Sequence, residues 1–130
     1  MTATTQINPW TWQDARGFSQ AWRVEGAQTV VFLSGQGPLD ADGALVGPGD
    51  FVAQARQTFD NLRQVLDRAG AQFSDVVKVT VYLTDVGRLP DYGRIKAEYI
   101  TGPQPASTAL GVAALAVPGM MIEVEAVVVA

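Results

Sequence analysis

Near its C-terminus the chain reads Ile122-Glu123-Val124-Glu125-Ala126-Val127-Val128-Val129, a stretch dominated by β-branched residues and therefore a predicted strand. Side chains alternate across a strand, so Ile122, Val124, Ala126 and Val128 share one face, and Glu123, Glu125, Val127 and Val129 share the other. Apolar residues thus stand on both faces, and both need covering.

Working outward, Val76–Leu83 is a second β-branched run, with polar Lys78 and Thr80 at alternate positions. Ahead of it, Phe51, Ala55, Phe59, Leu62, Leu66 and Ala69 recur three or four apart, from an Asp50 N-cap to a closing Gly70. That spacing predicts an amphipathic helix whose opposite side carries Gln54, Arg56, Gln57, Asp60, Arg63 and Asp67. A further helix is predicted around 88–100, with Tyr92, Ile95 and Tyr99 on one face and Arg94, Lys96 and Glu98 elsewhere, broken by Gly102-Pro103-Gln104-Pro105. Residues 107–112 read as a strand. Residues 18–24 and 29–34 read as two strands joined by a turn, and the Asp-, Gly- and Pro-rich stretch up to Asp50 reads as loop. The predicted order is β-β-α-β-α-β-β, a single α+β domain spanning 1–130 whose residues 1–17 form a lightly structured extension. Two helices cover only one face of such a sheet, so the other face implies a closed homo-oligomer with sheets packed inside.

With 130 residues, 48% hydrophobic and 17% charged, the chain suits one packed domain. It has neither cysteine nor histidine, which excludes thiol nucleophiles, imidazole triads and Cys/His zinc sites. The formal charge of −4, with Lys and Arg scattered, argues against a nucleic-acid surface. No apolar run approaches the roughly 18 residues of a membrane span and no signal-peptide pattern opens the chain, so the expected location is cytoplasmic.

Glu123 and Glu125 share a strand face at the border of an apolar surface and are candidates for general acid–base chemistry; the plainer reading is an ion pair with an arginine across an interface. Ser34-Gly35-Gln36-Gly37-Pro38 lets backbone amides approach a ligand, but lacks phosphate-loop spacing and reads more simply as a strand exit. Asp40-Ala41-Asp42-Gly43 lacks the later ligands of a calcium loop and reads as a solvated turn. Lys78 reads as a snorkelling lysine rather than a Schiff-base amine, and Trp10, Trp12 and Trp22 read as core aromatics.

Taken together, Phe18-Ser19-Gln20-Ala21, Val31–Leu39, Ala53–Leu62, Asp75–Asp85, Pro105-Ala106 and Ile122–Ala126 resemble, in order, the signature blocks of the RidA (YjgF-type) family of imine and enamine deaminases. The resemblance implies a chorismate-mutase-like α+β fold, a homotrimer, and small-molecule clefts between subunits that work without metal or cofactor. It assigns Glu123 as the water-orienting catalytic glutamate and places Phe18, Gly35, Tyr92, Ser107, Thr108 and Ala109 at the substrate. The family's carboxylate-clamping arginine falls at Ser107, its pocket tyrosine at Phe18, a usual asparagine at Gly93 and a common glutamate at Gly111. A hydroxyl cannot imitate a bidentate guanidinium fork, so the expected substrate is a neutral imine, enamine or related nitrogen compound. The competing expectation is a trimer that binds small metabolites or protein partners without catalysis. Acidic charge and the absence of histidine disfavour a ribonuclease.

Overall fold

The structure, a computed structural model, describes residues 2–130. Its elements run β1 (Ala3–Ile7), β2 (Ala21–Glu25), β3 (Val30–Gln36), α1 (Phe51–Arg68), β4 (Val76–Leu83), α2 (Leu89–Tyr99), β5 (Ala106–Gly111) and β6 (Ile122–Val129). The α+β class and both helices follow the sequence reading, with a strand added at the start. Residues 1–17, read as a lightly structured extension, contain β1 and a 3-10 turn at Asp14–Arg16.

The four-stranded sheet has the order β3-β6-β4-β5, with β4 and β5 parallel across the α2 connection and the other neighbours antiparallel. The predicted hairpin between residues 18–24 and 29–34 does not form. β2 pairs instead with β1, while Thr29 exchanges backbone hydrogen bonds with Ala130 and so feeds β3 onto the edge of β6. A local turn lost to a long-range ladder because β6 offers β3 a partner with a buried face.

Asp50 caps α1 by accepting from the Ala53 N–H at 3.1 Å, and Gly70 leaves the helix in the left-handed region at φ 71. Phe51, Ala55, Phe59, Leu62 and Leu66 pack on Leu33, Val79, Val81, Ile122, Val124 and Val128. Gln54, expected on the polar side, is buried. Its amide donates to the carbonyls of Gly47 and Gly119 at 3.1 and 3.0 Å and accepts from the Met121 N–H at 2.8 Å. A buried polar group is tolerated when its hydrogen bonds are met, and these tie two loops to the helix. Lys96, also expected on a polar face, is buried as well.

Both helices lie on one side of the sheet. Cross-strand register puts Phe32, Val127 and Lys78 in one row of the other side, Glu125 and Thr80 in the next, and Glu123 and Tyr82 in a third. Among the described residues no element covers this second face, and Phe32 on it is 78% exposed.

Candidate functional site

β6 presents Glu123 and Glu125 on the open face, where neighbouring β4 separates their roles. The Tyr82 hydroxyl donates to Glu125 Oε1 at 2.6 Å, and that hydrogen bond, helped by burial and the negative charges of Glu125 and Glu123, raises the tyrosine pKa. Among the described residues Glu123 receives no such donor and is the unengaged carboxylate. On its other flank, β3 carries an extra residue between Leu33 and Gln36 relative to Ala126 and Val124 of β6, a β-bulge at Ser34-Gly35. The bulge brings Gly35 against Glu123, so closely that a Cβ built on Gly35 would fall 2.7 Å from Cδ of the glutamate. Gly35 is therefore needed for close approach and not for an unusual φ. Asn61 steadies the strand exit by donating to the Gly37 and Leu39 carbonyls, both at 2.8 Å.

The residues around Ser107 form a separate group. Ser107 and Ala109 stand opposite Val79 and Val81, whose side chains are buried beneath the helices, so both belong to the helix side of the sheet. Thr108 belongs to the open side, where its hydroxyl accepts from Lys78 Nζ at 2.7 Å. Ser19 makes a parallel bridge to Ala106, its N–H donates to the Pro105 carbonyl at 3.1 Å, and its hydroxyl donates to the Gln104 carbonyl at 2.6 Å. By alternation Phe18 lies on the same side as Ser107. Within one chain, then, Phe18, Ser107 and Ala109 face one way and Gly35, Glu123 and Thr108 face the other.

Tyr92 does not line a cleft. Its ring is 3% exposed, stacks on Phe59 at 5.9 Å, and carries a buried hydroxyl without a partner among the described residues, and burial pushes its pKa upward. Gly93, on the exposed side of α2, has nothing within 4 Å of a built Cβ. Trp10 and Trp12, read as core, are exposed, and only Trp22 is half-buried, donating from Nε1 to the Gln104 carbonyl at 2.9 Å. The Asp40 carboxylate accepts from the Asp42 and Ala44 N–H groups, both at 2.9 Å, as a solvated turn does.

Lys96, one of only two lysines and read as lying on a polar helix face, is instead a buried cation. It is 5% exposed, donates from Nζ to the Gly17 carbonyl at 2.7 Å, and lies 5.8 Å from the Tyr92 ring centre. Burial lowers its pKa to about 8. The only sequence signal was its place one residue after Ile95 on the buried edge of α2.

A cavity of about 350 Å³ lies where Thr4 and Trp22 of the β1–β2 ribbon meet Phe73, Tyr99 and Val129, away from Glu123. A second, of about 220 Å³, lies on the open face among Phe32, Lys78, Thr80, Glu125 and Val127. No helix among the described residues is long and apolar enough to cross a membrane.

Comparison with known proteins adds to this geometry. The family model described as Endoribonuclease L-PSP matches residues 12–130. The protein DfrA of Myxococcus xanthus is 39% identical over 112 residues, covering 86% of this chain and 84% of that protein. The mouse protein named 2-iminobutanoate/2-iminopropanoate deaminase is 38% identical over 112 residues, covering 86% and 80% respectively. Among solved structures, the Rid-family protein YyfB of Yersinia pestis, described as of unknown function, superposes with a TM-score of 0.88 at 34% identity, covering 98% of each chain.

Proposed function

The chain belongs to the RidA (YjgF-type) family, and on that footing we propose that it hydrolyses a neutral imine, enamine or related small nitrogen compound in clefts between the subunits of a homotrimer. The observation that carries the reading is the division of the site. Glu123 and Gly35 stand on the open sheet face and Ser107, Ala109 and Phe18 on the helix side, so a complete cleft takes one group from each of two copies. Burying the open face against another copy removes Phe32 from water.

In that cleft the Glu123 carboxylate accepts a proton from water as its oxygen adds to the C=N carbon. That proton passes to nitrogen to give the aminoalcohol, and a second, carried by the same carboxylate from the new hydroxyl to nitrogen, lets the C–N bond break, so that ammonia leaves and a carbonyl compound remains. Each turnover consumes one water, and no electrons change hands. With a hydroxyl at Ser107 and no hydroxyl at Phe18, the cleft favours uncharged substrates over carboxylates. The same Ser107 also favours a second reading, a trimer that binds small metabolites without turnover, because it removes the family's charged anchor.

Ammonia and carbonyl release from freshly generated imines, with and without carboxylate groups, separates the two readings. Turnover of neutral imines supports hydrolysis. Saturable binding with no product from any member of the panel supports the binding protein.

A further inference from the structure

Two tryptophans stand at the surface just ahead of β2. Trp10 is 57% and Trp12 is 48% exposed, and their rings stack at 6.1 Å with 25° between planes. The loop that carries them is braced from within. Gln13 is buried, its amide nitrogen donates to the Trp10 carbonyl at 2.7 Å and to Asp14 Oδ1 at 3.2 Å, and its oxygen accepts from Gln20 Nε2 at 3.3 Å. Gln20 in turn donates from its backbone N–H to Asn8 Oδ1 at 2.8 Å. The Arg16 guanidinium lies 5.1 Å from the Trp12 ring centre, and Gly17, left-handed at φ 71, has its carbonyl held by Lys96. Phe18 follows, its ring meeting Trp12 edge to face at 5.8 Å and 67°. Fixing rings in place before a ligand arrives lowers the entropic cost of binding.

We propose that Trp10, Trp12 and Phe18 form an aromatic subsite continuous with the Ser107 side of the cleft, selecting compounds that carry a flat, uncharged ring beside the reacting group. The inference deepens the imine-hydrolase reading and rests on it for the cleft alone. An edge-to-face pair leaves a corner that a third ring fills in the geometry aromatic groups prefer. Neither Phe18 nor Ser107 supplies a charge, and the guanidinium of Arg16 is laid on Trp12.

Equilibrium titration of the full chain, followed by tryptophan emission, tests this with benzamide, cyclohexanecarboxamide and benzoate. Benzamide is expected to bind about fivefold tighter than cyclohexanecarboxamide, which has the same bulk without an aromatic face. Trp12→Leu is expected to erase that preference and Trp12→Phe to restore most of it. Equal binding of the two amides, or a preference untouched in a folded Trp12→Leu protein, overturns the subsite. Dissociation of an oligomer by Trp12→Leu overturns it too, by making the strip a contact between copies. Tighter binding of benzoate, lost in Arg16→Gln, overturns the assignment of an uncharged ring. Ring preference in a protein that hydrolyses no imine leaves the subsite standing and removes the hydrolase. Hydrolysis indifferent to a ring does the reverse.

Discussion

The Glu123 carboxylate occupies the space beside Gly35 in which any other residue would place its Cβ, with Cδ and Cγ of the glutamate 2.7 and 2.9 Å from that point. Gly35→Ala meets no backbone obstacle, because Gly35 is not among the glycines with positive φ. The methyl therefore displaces a flexible side chain and not main chain, a change expected to cost about 1 kcal/mol or less, below the usual range for overpacking a core. Turnover is expected to fall about 10²-fold while the melting temperature moves by only a few degrees. If both residues act as one unit, Gly35→Ala added to Glu123→Gln gives no further loss. Independent, multiplying losses would sever the link.

Glu123→Gln keeps the shape and removes the base, so turnover is expected to drop about 10²-fold or more with the oligomer intact. Glu125→Gln is expected to cost far less. Its carboxylate already holds the Tyr82 hydroxyl, and an amide oxygen can accept the same bond. Rates measured side by side on one imine decide it, and a larger effect at Glu125 would transfer the catalytic role.

Ser107→Arg is expected to shift preference toward carboxylate-bearing imines. Ser107 is half-buried, and Ala109 beyond it on the same side of β5 is small and exposed, leaving room for a guanidinium. A charged bidentate pair contributes about 1.5–3 kcal/mol, roughly ten- to a hundredfold in specificity constant. The comparison is 2-iminopropanoate hydrolysis by wild type and variant. A folded variant with no gain would show that the missing arginine does not set the specificity.

These tests lean on elements of unequal legibility. α1, β4 and β6 were readable because their apolar periods repeat over many residues and both ends carry stop signals. β1 was not, since Ala3–Ile7 is exposed throughout and pairs without burying a hydrophobic face. The false hairpin arose from a local turn signal that carries no information about β6, far away in sequence. Glu123 and Glu125 were indistinguishable from spacing, as residues two apart share a face; only Tyr82 across the ladder separates them. Gln54 and Lys96 were misplaced for one reason: polar side chains are assigned to water unless their buried partners, here carbonyls distant in sequence, are known.

Phe32→Asp is expected to dissociate the assembly. Phe32 projects from the open face in the row of Val127 and Lys78, and a carboxylate there removes the apolar contact and has to be desolvated when two faces meet, Lys78 being already held by Thr108. Sedimentation velocity at micromolar concentration is expected to show a trimer for wild type and a folded monomer for the variant. A wild-type monomer would remove the shared cleft altogether.

Lys96 makes a prediction about pH. Its amine is buried and, among the described residues, paired with no carboxylate, so its pKa falls from 10.5 to about 8 in the folded chain. Between pH 8 and 10.5 the unfolded chain therefore binds a proton there that the folded chain has released. Stability is accordingly expected to rise with pH across that window, the opposite of a lysine with a salt-bridge partner. The full difference corresponds to about 3 kcal/mol, an upper bound because the side chain retains some solvent contact. Tyr92, whose pKa burial raises, works the other way once the unfolded tyrosine ionises near pH 10, so the clean interval is pH 8 to about 9.5. Urea unfolding at fixed protomer concentration, which keeps any contribution from assembly constant, is the measurement. Lys96→Met removes the titrating group and keeps most of the buried volume, and is expected to be more stable than wild type at pH 7 and to lose the upward slope. A slope that survives in the Met variant would assign the alkaline gain to another group and leave Lys96 protonated in the fold, held by the Gly17 carbonyl alone.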